Sequence, residues 1–336
     1  LHLRNRRQRQ MCIRDRVSYL RVSVTDRCDL RCVYCMKEKM QFLPRKDILT
    51  LEEIERLCDN FIELGVEKIR LTGGEPLVRN DIIKLIEKLN TKKEKTNLKE
   101  ITLTTNGTLL KKYAKLLKLN GINRINVSLD TINPEKYNKI TRFGNIEKVF
   151  DGINEALDNN IKIKINTVVI KDFNENEIEE LINWTSNKKI DLTFIEVMPM
   201  EETDISREYQ FISLSDTFSK LDKIYNFSKI DYSTGGPARY YTSDLVSNKI
   251  GFISPLTNNF CASCNRVRIS STGKLFMCLG QNDFVDFREI MRKDYSDDYI
   301  KEKIKFALNI KPKQHDFMIG EKINKYMKRH MNVTGG

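Results

Sequence analysis

A chain of 336 residues, 40% hydrophobic and 31% charged, is long enough for a sizeable core and for about two domains, and it is too hydrophobic to be a disordered chain. No apolar run approaches a membrane span and no secretory leader opens the sequence, so a cytoplasmic protein with no membrane partner is expected. The net charge of +12 suits nucleic acid, a membrane surface or a polyanionic small molecule.

Residues 1–16 carry six Arg and no Lys, whereas the remaining 320 residues carry 36 Lys and 16 Arg. That shift in basic-residue usage sets the segment apart as non-native or disordered, and without its +5 the body holds an ordinary +7. From there short strands alternate with helices. The strands are expected at Tyr19–Thr25, Lys68–Thr72, Glu100–Thr105, Arg124–Asp130, Ile161–Ile170 and Leu192–Met198. The helices are expected at Thr50–Leu64, Asp81–Leu89, Leu109–Leu119, Ile146–Leu157 and Asn174–Ser186. Thr50 and Glu53 form a capping box, and Ile54, Leu57, Cys58, Phe61 and Leu64 share one face, which makes Cys58 a core residue. Six strand–helix units in series predict an α/β fold, a partial (β/α)6 barrel of the TIM type over residues 17–200. Residues 201–336 are expected to form a second domain that closes the barrel. In it Glu201–Tyr232 reads as irregular, Gly235, Gly236 and Pro237 as a turn, and Phe284–Lys293 and Asp297–Asn309 as helices.

Within the strands one face is polar and the other apolar. Arg21, Arg70, Thr104, Asn126, Ser128 and Lys164 oppose Leu20, Ile69, Leu103, Ile125, Val127 and Ile163. A closed barrel packs its interior with apolar side chains. A polar, cationic inner face instead implies a wet lumen that holds a polar ligand.

Six of the eight cysteines fall into two triplets, Cys28-x-x-x-Cys32-x-x-Cys35 and Cys261-x-x-Cys264-x13-Cys278. Cys12 and Cys58 stand alone. A disulfide framework suits a small secreted domain, not this chain. Thiolates suit iron–sulfur clusters and zinc, but structural zinc takes four protein ligands, and the only histidines are His2, His315 and His330. Three thiolates on a four-iron cube leave one iron open to a ligand. In the second triplet Arg266 and Arg268 point the same way and can grip a polyphosphate. The alternative there is a zinc knuckle with exposed arginines.

At the first triplet, with Tyr34 before its last cysteine, and at Gly73-Gly74-Glu75-Pro76, the chain resembles the radical S-adenosylmethionine (SAM) enzymes. Over about residues 17–336 it is similar to one subfamily, the GTP 3′,8-cyclases of molybdenum cofactor biosynthesis. The matching stretches include YLRVSVTDRCDLRCVYCM, EKIRLTGGEPLVR, FCASCNRVRISSTGKLFMCL and the terminal Gly335-Gly336. The resemblance implies two [4Fe–4S] clusters, on Cys28, Cys32 and Cys35 and on Cys261, Cys264 and Cys278. It implies SAM at Tyr34, Gly74, Glu75, Ser128 and Met198. It gives GTP to Arg21, Arg70, Thr104, Lys164, Arg266, Val267 and Arg268, and brings the Gly335-Gly336 tail into the site. The implied reaction converts GTP to 3′,8-cyclo-7,8-dihydro-GTP. It implies a low-potential electron donor, a downstream pterin synthase, a homodimer and no nucleic-acid partner. The chain departs from the family pattern at Asp29, Lys37 and Thr193, where Asn, Pro and Arg are usual. The rival readings are a radical SAM peptide-modifying maturase and, in another class, a zinc-binding nucleic-acid protein.

Overall fold

The computed structural model describes residues 17–198, 210–258, 260–293, 295–312 and 331–335. The Arg-rich start, residues 199–209, His315, His330 and Gly336 lie outside the described residues. Six parallel strands appear in chain order: β1 (Tyr19–Ser23), β2 (Lys68–Thr72), β3 (Glu100–Thr105), β4 (Arg124–Ser128), β5 (Lys162–Val169) and β6 (Asp191–Glu196). The helices between them are α1 (Leu51–Glu63), α2 (Ile82–Lys92), α3 (Leu110–Leu119), α4 (Pro134–Thr141), α5 (Ile146–Asp158) and α6 (Ile178–Asn187). The capping box at α1 forms as expected. Thr50 Oγ1 accepts from the Glu53 amide at 3.1 Å, and Glu53 Oε2 accepts from the Thr50 amide at 2.7 Å.

The later part of the chain adds α7 (Leu214–Tyr225), β7 (Ser228–Lys229), β8 (Arg239–Ser243), β9 (Val246–Ile253), β10 (Arg266–Ile269), β11 (Lys274–Phe276), β12 (Phe284–Asp286), α8 (Phe287–Arg292), α9 (Asp297–Asn309) and α10 (Met331–Thr334). Its strands extend the same sheet at both edges, in the order β12-β11-β10-β1-β2-β3-β4-β5-β6-β9-β8-β7. β10 lies parallel to β1 and β9 parallel to β6, and antiparallel ribbons finish each side. The sheet is open, as a partial barrel requires.

Three local expectations are corrected. Residues 201–232 are not irregular throughout: Ser213 caps α7 by accepting from the Asp216 amide, and Leu214, Leu221 and Tyr225 bury one face beneath a mostly polar surface. The segment read as a helix from Phe284 begins as β12, and Asp286 caps the helix only from Phe287. Helix α4 adds an element where no helix is expected; Asn133 caps it and Pro134 supplies the first helical φ.

The alternation sorts the two faces. Leu20, Val22, Ile69, Leu71, Leu103, Ile125, Val127, Ile163, Ile165, Val267 and Ile269 join one apolar core beneath the helices, together with Cys58. The opposite face of the same strands lines a cavity. Among the described residues no helix is long and apolar enough to cross a membrane.

Candidate active site

The strand register stacks the cavity's cations in rows. Arg268, Arg21 and Arg70 are level on the adjacent strands β10, β1 and β2. One row below, Arg266, Tyr19 and Lys68 are level, and the Lys68 ammonium lies 5.0 Å from the Tyr19 ring centre. Burial, together with Arg268 and Arg70, holds the Arg21 guanidinium well below its ordinary pKa. Burial likewise lowers Lys164, reinforced by Arg70, Arg124 and Lys68. Burial alone would raise the Tyr19 phenol, but Arg70, Arg21, Lys68 and Arg266 outweigh it and pull it down. The nitrogens Arg21 Nε, Arg70 Nε and Arg266 Nε and the oxygens Asn126 Oδ1 and Asn166 Oδ1 are buried without a protein partner. Like charges crowded with unmet polar atoms are costly in an empty protein. They are matched by a polyanionic ligand that also carries hydrogen-bonding groups.

The two cysteine triplets bracket these rows. Cys28 follows the C-terminal end of β1, whereas Cys264 precedes the N-terminal end of the parallel strand β10. Cys278 comes two residues after Phe276, which pairs antiparallel with Arg268, so it is level with Arg266 on the Cys264 side. The triplets therefore sit at opposite ends of the cavity, and all six cysteines line it.

The first triplet is held by backbone. The Arg31 and Val33 amides donate to the carbonyls of Thr141 and Ile140 at the end of α4, at 3.0 and 2.9 Å. Arg142, at φ +64°, donates from Nη1 to the Arg31 carbonyl at 3.0 Å. Tyr34 Oη donates to Asp130 Oδ2 at 2.7 Å, and burial lifts the Asp130 carboxyl to about 6. Cys28 Sγ accepts from the Leu30 amide at 3.4 Å and from Asn106 Nδ2 at 3.7 Å. Burial pushes the Cys28 and Cys32 thiols up, so these sulfurs ionise when a metal group compensates them. Asp29 accepts from Asn106 Nδ2 at 2.7 Å and from Thr108 Oγ1 at 2.5 Å.

In the second triplet the Gly280 amide donates to Cys278 Sγ at 3.4 Å and Lys311 Nζ to Cys264 Sγ at 3.7 Å. Burial would raise the Cys264 thiol, but Lys311 and Arg266 bring it below its ordinary value. Half-buried sulfurs that accept amide and ammonium hydrogen bonds and face one cavity are the donor set an iron–sulfur cluster uses. Among the described residues no three His, Cys, Asp or Glu side chains gather closely enough for a single metal ion.

Of the residues expected at SAM, Tyr34, Gly74, Ser128 and Met198 line the cavity. Glu75 does not. Its Oε1 accepts from the Leu77 amide at 3.0 Å and from Thr105 Oγ1 at 2.8 Å, and its Oε2 from the Asn106 amide at 2.7 Å. The carboxylate meets three protein donors, while Gly73 and Gly74 of the same turn line the cavity. Gly74 is the contact point with the first triplet: a Cβ there would lie 2.2 Å from the Arg27 carbonyl oxygen. Of the residues expected at GTP, Arg21, Arg70, Thr104, Lys164, Arg266 and Arg268 line the cavity. The Val267 side chain turns into the core, so only its backbone is left to face a ligand. Gly335, at φ +74°, lies against Thr72 and its carbonyl accepts from Arg268 Nη1.

Other features escape sequence reasoning. Arg124 sits on the polar face but is ion-paired: Glu100 accepts from it at 2.7 Å and is shared with Lys68, at 2.6 Å. Both cations donate to the Thr234 carbonyl, at 3.3 and 2.6 Å. This network ties down the loop of Thr234, Gly236 and Pro237, which lines the cavity. Lys164 Nζ donates to the Tyr240 hydroxyl at 3.2 Å. Tyr19 could have been found, since it alternates in phase with Arg21.

Residues 22–185 match the radical SAM superfamily profile, and residues 190–317 match the profile named Molybdenum Cofactor Synthesis C. A GTP 3′,8-cyclase of Brucella ovis is 52% identical over 321 residues, covering 95% of this chain and 93% of that protein. A GTP 3′,8-cyclase of Brucella melitensis is also 52% identical, with the same coverage. Among solved structures, Streptococcus suis SuiB bound to S-adenosylmethionine aligns with a TM-score of 0.62 at 18% identity, covering 86% of this chain and 67% of that one. SuiB bound to its precursor peptide aligns with a TM-score of 0.64 at 16% identity, covering 97% and 78%. At such identities the likeness to SuiB is one of fold.

Proposed function

The chain belongs to the GTP 3′,8-cyclase family of the radical SAM superfamily, and we propose that it carries out that family's reaction, joining C3′ of the ribose to C8 of guanine within one molecule of GTP as an early step of molybdenum cofactor synthesis. The observation that carries this reading is the single cavity with a cysteine triplet at each end and three level guanidiniums between them. Cys28, Cys32 and Cys35 would hold a [4Fe–4S] cluster that takes SAM, and Cys261, Cys264 and Cys278 a second that takes the substrate. When bound, the cluster and SAM supply the one-electron chemistry that activates the C3′–H bond.

The protein's own residues position the substrate. Arg21, Arg70, Arg266 and Arg268 hold the triphosphate with Lys164, at charge-assisted hydrogen-bonding strength. Asn126 and Asn166 offer buried acceptors to the sugar and base hydroxyls and amines. Gly74, Tyr34, Ser128 and Met198 form the SAM side, and the Gly335 segment covers the cation row beside Thr72. Holding C3′ and C8 in fixed mutual geometry removes orientational freedom that the uncatalysed closure would have to lose. The reading calls for a low-potential electron donor and a pterin synthase that consumes the product, with a homodimer as the expected assembly.

Anaerobic calorimetry with GTP tests it. Arg21→Ala should weaken GTP binding by about 1.5–3 kcal/mol, the worth of a hydrogen bond to a charged group, with iron content unchanged. Guanosine should bind weakly to both proteins. A wild-type protein that binds peptide but no GTP would overturn the reading.

A further inference from the structure

We propose that Lys311 is a positioning residue of the second cysteine triplet, tying together the two segments that carry Cys264 and Cys278 and placing a positive charge at the Cys264 sulfur. The inference rests on the reading that this triplet holds an iron–sulfur cluster.

Lys311 follows α9, and its amide donates to the Leu308 carbonyl at 3.3 Å, so its backbone is set by the helix end. Its ammonium then reaches three acceptors: the Met277 carbonyl at 2.5 Å, the Arg266 carbonyl at 3.2 Å and Cys264 Sγ at 3.7 Å. An ammonium has three donors, and these three contacts match them. Arg266 opens β10 two residues after Cys264, and Met277 directly precedes Cys278. The lysine therefore bridges the two backbone segments that must stay in register if the three sulfurs are to share one group. Although Lys311 borders the cavity, its donors are turned to the protein and away from a ligand.

Hydrogen bonds to the sulfurs and the net charge around a cluster set its reduction potential. A cation at a ligand sulfur favours the more negative, reduced state. Lys311 thus raises the potential of the second cluster, while the first has the carboxylate of Asp29 beside Cys28 instead. The arrangement makes the two clusters electronically unequal.

The test uses the full chain, reconstituted anaerobically with iron and sulfide, as parent, Lys311→Met and Lys311→Arg. Reduction is followed by EPR-monitored redox titration, with the second cluster's signal assigned by its loss in Cys261→Ser. Iron release to a chelator is timed in parallel, and GTP binding is measured. In Lys311→Met the second cluster's midpoint should move to lower potential and its iron should leave several-fold faster, while the first cluster's midpoint stays in place. Lys311→Arg should recover most of both. If Lys311→Met keeps no second cluster, recovery of that cluster in Lys311→Arg supports the assignment and its loss in both variants overturns it. Unchanged potential and unchanged iron release overturn it too, as does a loss of GTP affinity at unchanged potential, which would make Lys311 a substrate ligand. A parent protein that takes up about four irons and not about eight refutes the two-cluster reading itself, and the inference with it.

Discussion

The substitution Glu75→Gln separates a bracing carboxylate from a ligand-binding one. Glu75 is fully buried, and burial lifts its pKa to about 7 against three hydrogen bonds that favour the ion. Because the folded value lies above the unfolded value of about 4.3, the native state binds more protons between these limits. Wild-type stability therefore falls as pH rises from about 4.3 to about 7, by roughly 4 kcal/mol in total, and the loss is complete above that window. The glutamine variant has no such titration. Its side chain does present an NH2 group to a buried donor, either the Asn106 amide or the Leu77 amide and Thr105 hydroxyl, leaving a clash of donors worth about 1–3 kcal/mol. Chemical unfolding of both proteins at pH 5.5, 6.5 and 8 should thus show the variant less stable at pH 5.5, with the gap closing as pH rises. The other titrating groups are shared and cancel in the difference. SAM affinity should change by no more than about twofold, since only the glycine backbone of this turn faces the cavity. A tenfold loss of SAM affinity with no change in unfolding at any pH would refute the argument and return the carboxylate to the cofactor.

Three further outcomes are expected. Gly74→Ala drives a Cβ into backbone at Arg27, so it should cost at least about 1–3 kcal/mol and strip iron selectively from the first triplet; a variant with full iron and an unchanged melting temperature would contradict this. Lys164→Met removes a buried cation whose protonation is already disfavoured, so the ligand-free protein should melt at a higher temperature while GTP binding weakens at least tenfold; a lower melting temperature would show that the cation is well compensated. Arg124→Ala leaves Lys68 and Glu100 paired but removes one tether on Thr234, and should raise KM for GTP severalfold with kcat nearly unchanged; a pure kcat loss would place this loop in the chemistry.

The parts of this architecture that are legible in sequence are those with a short period. Arg21, Arg70 and Lys164 alternate with Leu20, Ile69 and Ile163, so their shared face can be read without coordinates. The Thr50–Glu53 box and the cysteine spacings are equally local. The direction of Glu75 is not legible, because the turn that buries it is fixed by the Asn106 and Leu77 amides, one of them on another strand's loop. Nor is the ion pairing of Arg124, which depends on Glu100 in the adjacent strand, or the place of Lys311, which is remote from the triplet it touches. Helix α7 was concealed for a different reason: its apolar stripe is narrow and the surrounding residues are polar.

The order of strands also bears on how the chain is made. β1 and β6 are interior strands only because β10 and β9 cover them, and both covering strands emerge late. Sixty-nine residues separate Glu196, where β6 ends, from Arg266, where β10 begins, about 4–14 s of synthesis at ~5–20 residues per second. The β1 edge stays bare throughout that interval and the β6 edge until β9 has emerged at Ile253, each a template for pairing with another chain. A ribosome stalled in this window, or a frameshift soon after Met198, would release a sticky fragment with an assembled cysteine loop and no means of closing its own sheet.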